Sequence, residues 1–436
     1  MVLRTLAALA LIAGCGQSLF DNNVGGGTGD GGNGSGDGSM VASSCPAGCI
    51  GDAAADVDGS RPGWRYLEDA RNRTWAPMAE AGGSFTGAVA PNAITTCAAK
   101  PTAPGCVALP GALLVTTAGM TTAADPAVEF TVPTAQVVQL SARVYVPTGQ
   151  PAQQVRVYRN SREDVLFTGI AAAGALFERA ITIDALAGER VLLAIAPTTM
   201  GAADVAVHLY VNSTGAAFPA TCTLAVDFAS ASGNTVGNAC GGAATYYDYD
   251  LSSPDDDIPP KLTAGPYTQL GMAADIPLTE YYRGTDIIPR TGDSTTQLWV
   301  RHDAFDPSYS YNAYPFSDMD LDNGGGIAFS IFETGSLTRG LGIYTCQGSP
   351  CTEGGVDFSY PNDANWHFVR VVHTGGELHL CVDGKRAAGS VTVPDGKLQG
   401  TYPPHFGRNV KWLTAGAYFD GAVDDVRTFS VALPCE

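Results

Sequence analysis

Along most of this chain apolar and polar residues alternate with a period of two, and runs with the helical period are scarce, so the pattern predicts strands. Seven segments carry it between Pro, Gly or Asn signals: Ala127–Val132, Val137–Val146, Gln154–Arg159, Ser161–Thr168, Ala175–Ile183, Arg190–Ala196 and Asp204–Val211. In Gln154–Arg159, Val155 and Val157 face one way and Arg156 and Tyr158 the other, which predicts one apolar face and one wet face. Seven strands at this spacing predict a β-sandwich or jelly roll over residues 45–214. Such jelly rolls often bind carbohydrate, but fold alone does not assign function. The opening segment, from Trp64 through Met78, reads either as a short helix or as an edge strand.

A second pattern occupies the C-terminal half. Gly375 and Gly376 supply the positive-φ positions of a two-residue hairpin loop, which pairs Val371 with Leu380 and Val369 with Val382. Those four side chains then share one face. Arg370, His379 and Cys381 take the opposite face, which is either surface or covered by a loop, and Trp366 reads as core.

The ends of the chain change the picture from a plain globular protein to an exported one. Arg4, the apolar run Leu6 to Ile12 and small Ala13 and Gly14 read as a signal peptide over residues 1–14, too short to span a bilayer. Ile12-Ala13-Gly14-Cys15 resembles a bacterial lipobox, which implies cleavage before Cys15 and acylation of that residue. The alternative is an ordinary secretory signal that happens to contain a cysteine. Residues 15–44, rich in Gly, Asp and Ser, cannot bury enough apolar surface to fold and read as a flexible tether. Its root-mean-square span is roughly 25–30 Å. Gly16 follows the cysteine where an Asp retention signal would stand, so the analogy favours the outer membrane.

Of the 11 cysteines, those after Cys15 suit disulfides in an oxidising compartment. Cys45/Cys49, Cys97/Cys106 and Cys346/Cys351 are close in sequence; zinc ligation is the other use of such spacing, but no His neighbours them. Cys222, Cys240, Cys381 and Cys435 leave three connectivities open. The net charge of −19 argues against a nucleic-acid partner and against docking to anionic lipid, which leaves the lipid as the membrane contact. It favours a soluble monomer and offers carboxylates to divalent cations.

From residue 217 onward a family resemblance emerges. Thr223-Leu224-Ala225-Val226-Asp227-Phe228 with Gly233-Asn234-Thr235-Val236, then Trp366 to Val372 with Leu378 to Gly384, then Phe419 to Arg427 ending in Ala432-Leu433, resemble three motifs of a laminin-G-like, concanavalin A-like domain in the right order. The whole chain is thus expected to be all-β, two β-sandwich domains behind a flexible N-terminal tether, the second spanning 217–436. The resemblance implies a glycan or cell-surface protein as partner. It also implies calcium at the sandwich rim, with Asp424 or Asp425 as ligand.

Two local patterns refine that expectation. Asp318, Asp320 and Asp322 alternate before Asn323 and three glycines, which begins like a calcium loop but departs from the EF-hand pattern at Asn323 and at Phe329. Asp255-Asp256-Asp257 is a weaker candidate. Tyr309, Tyr311, Tyr314 and Phe316, with Phe305 and with Trp412 in a later loop, are flat side chains interleaved with polar ones, a pattern on which sugar rings stack. If exposed they favour binding; if buried they favour an architectural module.

Catalysis finds little support. The chain has no His-Glu-x-x-His helix and no Gly-x-Ser-x-Gly elbow, and His373 and His379 lie on a hairpin with no paired nucleophile. The Glu-x-Asp-x-x-Glu pattern of concanavalin-like glycosidases is missing, so the expectation is a non-enzymatic binding protein, with a hydrolase site in the first domain as the remaining alternative.

Overall fold

The computed structural model describes residues 48–59, 62–69, 74–119, 124–247, 261–266, 270–277, 280–303, 313–319, 325–334, 338–347, 352–360, 363–393, 395–400, 402–408 and 419–435. The leader, Cys15, the tether, Cys45 and Asp255-Asp256-Asp257 lie outside the described residues. Among the described residues the chain forms four antiparallel sheets, stacked in two sandwiches. No helix among them is long and apolar enough to cross a membrane.

In the first sandwich one sheet runs in the order Leu176–Ala185, Gln136–Tyr145, Ala203–Ser213, Leu113–Thr117, Ala93–Thr96, Ser84–Thr86, Ala79–Ala81, with Cys49–Asp52 also paired to Ala203–Ser213. Facing it are Val165–Ala171, Gln153–Arg159, Arg190–Pro197, Pro126–Thr131, Trp64–Asp69 and Trp75–Pro77. Val138, Leu140 and Val144 from one sheet meet Val155, Val157, Leu193 and Phe130 from the other, as the period-two pattern requires. All seven anticipated strands are present. The one that moves most starts at Val165 instead of Ser161, because Asn160 takes φ 58° and the backbone N–H of Arg159 donates to Asp164 O across a turn at 2.9 Å.

Leu113–Thr117 was not anticipated. Its two faces are both buried, Leu113 and Val115 in the core and Leu114 against the loop closed by the Cys97–Cys106 disulfide, so alternation is lost from its sequence. Trp64–Asp69 is neither helix nor edge. It pairs with Pro126–Thr131 on one side and with Trp75–Pro77, the true edge, on the other.

The second sandwich has one sheet ordered Lys261–Ala264, Met272–Ile276, Gly421–Phe429, Ser294–His302, His367–Thr374, Glu377–Val382, Lys385–Arg386, with Cys222–Val226 and Val391–Thr392 at its flanks. Its partner runs Thr235–Gly237, Ala243–Tyr247, Tyr281–Gly284, His405–Phe406, Ala313–Ser317, Ile327–Thr334, Thr338–Gln347, Thr352–Tyr360. The predicted hairpin is present: Gly375 and Gly376 take φ 58° and 77°, and Val371 and Val369 pair with Leu380 and Val382 inside the core.

Ala42–Glu436 is one compact unit, and what joins its sandwiches corrects two expectations. The outward face of Gln153–Arg159 is not wet at Tyr158, which packs with Leu67, Val165, Leu192 and Ala194. The face holding Arg370 is covered by the first sandwich. Arg370, 1% exposed, is ion-paired with Asp164, donates to Val165 O at 2.6 Å and to Gln297 Oε1 at 2.8 Å, and also reaches Pro434 O. Beside it Arg427 pairs with Glu189 of the first sandwich and with Asp425, and Arg159 lies over the Phe429 ring at 4.7 Å. Burial pushes the Asp164 carboxyl up, but Arg159 and Arg370 hold it below its ordinary range. Asp184 clamps the connection, accepting from the backbone N–H groups of Ala220, Thr221 and Cys222.

Trp366 also departs from expectation. It is half-buried at the strand's start with the Arg301 guanidinium 5.3 Å over its ring, whereas Trp299 and Phe368, 5.1 Å apart, are the buried aromatics of that face. Disulfides join Cys97–Cys106, Cys222–Cys240 and Cys381–Cys435, which decides among the three open connectivities. Cys49 is disulfide-bonded, with its partner outside the described residues. Cys346 lies in the strand Thr338–Gln347 and Cys351 outside the described residues, so their pairing is not described.

Candidate functional site

The residues singled out from sequence do not assemble into one surface. Phe316 is fully buried in the second sandwich's core, with its ring 5.7 Å from Phe329 and 5.8 Å from Phe406. Tyr314, 3% exposed, packs against Met319, Ala328 and Tyr344. Every residue of the strand Ala313–Ser317 is buried, so both its faces are covered and neither ring offers a stacking face. Phe305, Tyr309, Tyr311 and Trp412 lie outside the described residues.

The acidic candidates fare similarly. Asp318 is buried and committed: one oxygen is ion-paired with Arg290 and the other accepts the Ile327 N–H at 2.8 Å. Asp424 sits on a different sheet, buried, with one oxygen accepting from the Asp425 N–H at 2.8 Å. Burial, then the Asp425 charge, pushes its carboxyl up to about 9. Asp425 is buried too and ion-paired with Arg427. Among the described residues Asp318, Asp424 and Asp425 are not gathered into a group that could hold a metal ion, and Asp320 and Asp322 lie outside the described residues.

A different place gathers the right chemistry. A pocket of about 320 Å³ opens at the end of the first sandwich, where the core meets the loop after Cys49–Asp52 and the short strands Ala79–Ala81 and Ser84–Thr86. That volume is at the lower end of the ~300–1,000 Å³ typical of small-molecule sites. Trp64 and Tyr66, two apart on one strand, point to the same side. Tyr66 stacks on Phe85 at 4.0 Å, and Trp64 tilts against Phe130 at 4.8 Å while remaining half-buried.

Local geometry fixes these rings. The Trp64 Nε1–H donates to Asp56 Oδ2 at 3.2 Å, and the same oxygen accepts the Asp52 N–H at 2.8 Å, so Asp56 ties the loop to the indole. The Tyr66 hydroxyl donates to Ala53 O at 2.7 Å. Burial, then the Asp56 charge, pushes that hydroxyl well above its ordinary range, so it stays a neutral donor. Gly51 makes room: a Cβ there would stand 2.7 Å from Phe130 and 3.0 Å from Trp64 Nε1. Gly63, at φ 114°, turns the chain into the Trp64 strand.

Around the rings stand Asp58, Glu80 and Arg65. Arg65 is half-exposed and ion-paired with Glu129 at 3.3 Å. The exposed Glu80 side chain makes no ion pair or hydrogen bond among the described residues. The half-buried Trp64 ring, backed by the buried Tyr66–Phe85 stack and beside a carboxylate without a partner among the described residues, suits a ligand with a C–H face and hydroxyl edges. Sequence reasoning drew attention to the Trp64–Met78 segment but not to the site. The available signal was an aromatic pair at i and i+2 after a glycine.

Comparison with known proteins gives these likenesses. No curated protein matches the chain in sequence. Among solved structures it is similar to domain 4 of AbnA, a GH43 extracellular arabinanase from Geobacillus stearothermophilus, in complex with arabinotriose, with 16% identity, 49% of this chain and 94% of that chain covered, and a TM-score of 0.35. It is also similar to the native heptameric SAP-like pentraxin from Limulus polyphemus, with 15% identity, 36% and 71% covered, and a TM-score of 0.29. A third likeness is to the N-terminal CBM22-1-CBM22-2 tandem domain of Xyn10C from Paenibacillus barcinonensis, with 11% identity, 73% and 86% covered, and a TM-score of 0.21. Residues 280–436, most of the second sandwich, match the family model described as the concanavalin A-like lectin/glucanases superfamily.

Proposed function

We propose that this chain is a non-catalytic carbohydrate-binding lipoprotein of the bacterial cell envelope, anchored through Cys15 and taking a sugar ring in the Trp64 pocket. The observation that carries the reading is the pocket itself: half-buried Trp64 held by Asp56, the buried Tyr66–Phe85 stack behind it, and the exposed Glu80 carboxylate, which has no partner among the described residues. The family match of residues 280–436 supports a carbohydrate-related role for the same chain. In this reading the second sandwich gives rigidity through the buried seam, and the tether lifts both sandwiches away from the membrane.

A glycan array with the full chain tests the proposal. Hits that vanish in Trp64→Ala support it; a blank array, or hits indifferent to that change, sinks it. Release of new reducing ends from a bound glycan would turn the reading to a hydrolase. Repeating the array with chelator checks the calcium expectation, and Cys15→Ser, which should move the protein out of the membrane fraction, checks the anchor.

A further inference from the structure

We propose that the cleft between the two sandwiches is a second binding site, selective for sugars that carry a carboxylate, that is, uronic acids. The inference borrows only the sugar class of its ligand from the preceding reading and concerns other residues. The cleft has a volume of about 430 Å³ and is lined from the first sandwich by Arg156, Tyr158, Arg162 and Glu163 and from the second by Asp383 and Lys385.

Its acids are already engaged. Asp383 accepts from His367 Nδ1 at 2.8 Å and from the Phe368 N–H at 3.0 Å. Glu163 is buried and partnered. Arg162 is neutralised by an ion pair with buried Asp69.

Two cations remain. Arg156 projects outward between Val155 and Val157, its neighbours across the ladder are Thr168 and Ala194, and its one side-chain partner among the described residues is the Tyr158 hydroxyl at 3.5 Å. Asp125 lies close enough to feel the Arg156 charge but forms no ion pair with it among the described residues. Lys385 is exposed and has no side-chain partner among the described residues. The turn at Asp383 (φ 49°) and Gly384 (φ 73°) sets it on the cleft's rim. Burial pushes the Tyr158 hydroxyl up, against Arg156, so it stays a donor beside them.

The unmet hydrogen-bonding capacity of this cleft is therefore cationic, in a chain of net charge −19. Charges farther away than about 8 Å are screened at physiological salt, so the cleft's own groups, and not the distant carboxylates, decide what it takes. A guanidinium fork matches a carboxylate in two parallel hydrogen bonds, and the Tyr158 hydroxyl and Gln154 amide suit the hydroxyls of a sugar ring. An acidic peptide offers the charge without those hydroxyls.

Calorimetry with the full chain and trigalacturonate, against neutral galactotriose and a hexa-aspartate peptide, tests this. The expected result is trigalacturonate binding that weakens about tenfold or more in Arg156→Ala and about threefold in Lys385→Ala, and that falls as salt is raised. Lys385 is a surface residue, so its variant keeps the test valid should Arg156→Ala fold poorly. No trigalacturonate binding, or binding that survives both changes, overturns the inference. Equal binding of hexa-aspartate overturns the sugar class. Uronate binding lost in Trp64→Ala but indifferent to Arg156→Ala would put the uronate in the pocket and overturn the second site. Galactotriose or array hits that depend on Trp64, without any uronate binding, would leave the pocket reading standing and remove this one alone.

Discussion

The seam between the sandwiches and the pocket at Trp64 are built from the same residue types, arginine, carboxylate and aromatic ring, but they direct their hydrogen-bonding capacity differently. At the seam Arg370 is met by Asp164, Gln297, Val165 O and Pro434 O, and Arg427 by Glu189 and Asp425, all within the protein. Among the described residues Arg159 Nη2 and Asp424 Oδ2 are buried without a hydrogen-bond partner. In the pocket the indole stays half-buried and the Glu80 carboxylate faces solvent. Polar groups satisfied internally hold a protein together, and those left unsatisfied at a concave surface recognise something else.

The largest effect should come from breaking the seam. Arg370→Ala leaves Asp164 buried without one of its cations, and chemical denaturation should show a loss of about 3–5 kcal/mol. A loss below about 1 kcal/mol would mean that the seam is wet and that the contrast is false. Replacing Arg370 with Met and Asp164 with Leu together should recover only part of the loss, because buried Arg159, which also pairs with Asp164 at 2.8 Å, then loses that carboxylate.

Trp64→Ala comes next and should act on binding more than on folding. An affinity drop on the order of tenfold, ~1.4 kcal/mol, is expected by titration with an array hit. A melting temperature that collapses as it does in Arg370→Ala would make Trp64 a structural residue and erase the distinction.

Asp424 sharpens the comparison through pH. Folding raises this carboxyl from an ordinary 3.8 to about 9, so near pH 7 the folded chain holds a proton that the unfolded chain has released. Its contribution therefore turns more unfavourable as pH rises from about 4 towards 9. Asp424→Asn, which keeps the acceptor for the Asp425 N–H, should raise stability at pH 7 by on the order of 1 kcal/mol. The gain should shrink towards pH 4, and a gain constant with pH would show that the carboxyl is not protonated. Smallest of the four, Glu80→Gln should weaken sugar binding by about two- to fivefold with an unchanged melting temperature.

Much of the architecture was legible because half-buried strands write their period into the sequence. The Gly375-Gly376 hairpin and the strands from Pro126 to Ser213 follow from alternation and turn chemistry alone. Leu113–Thr117 was not legible, since burial on both faces removes the alternation. The aromatic row misled for a related reason. Tyr314 and Phe316 sit among Asp and Ser as a binding loop would, but their strand is buried on both faces, and no local pattern tells a ring that stacks on sugar from one that fills a core.

By itself the sequence determined the all-β class, the hairpin register and the proximity of Cys97 to Cys106, because each depends on residues near one another in the chain. The Cys222–Cys240 and Cys381–Cys435 pairing, the cover over Arg370 and the gathering of Asp56, Trp64 and Phe85 were decided only by the tertiary structure. Asp164 and Arg370 are 206 residues apart, and which carboxylate meets which guanidinium at that separation is set by how two sheets stack.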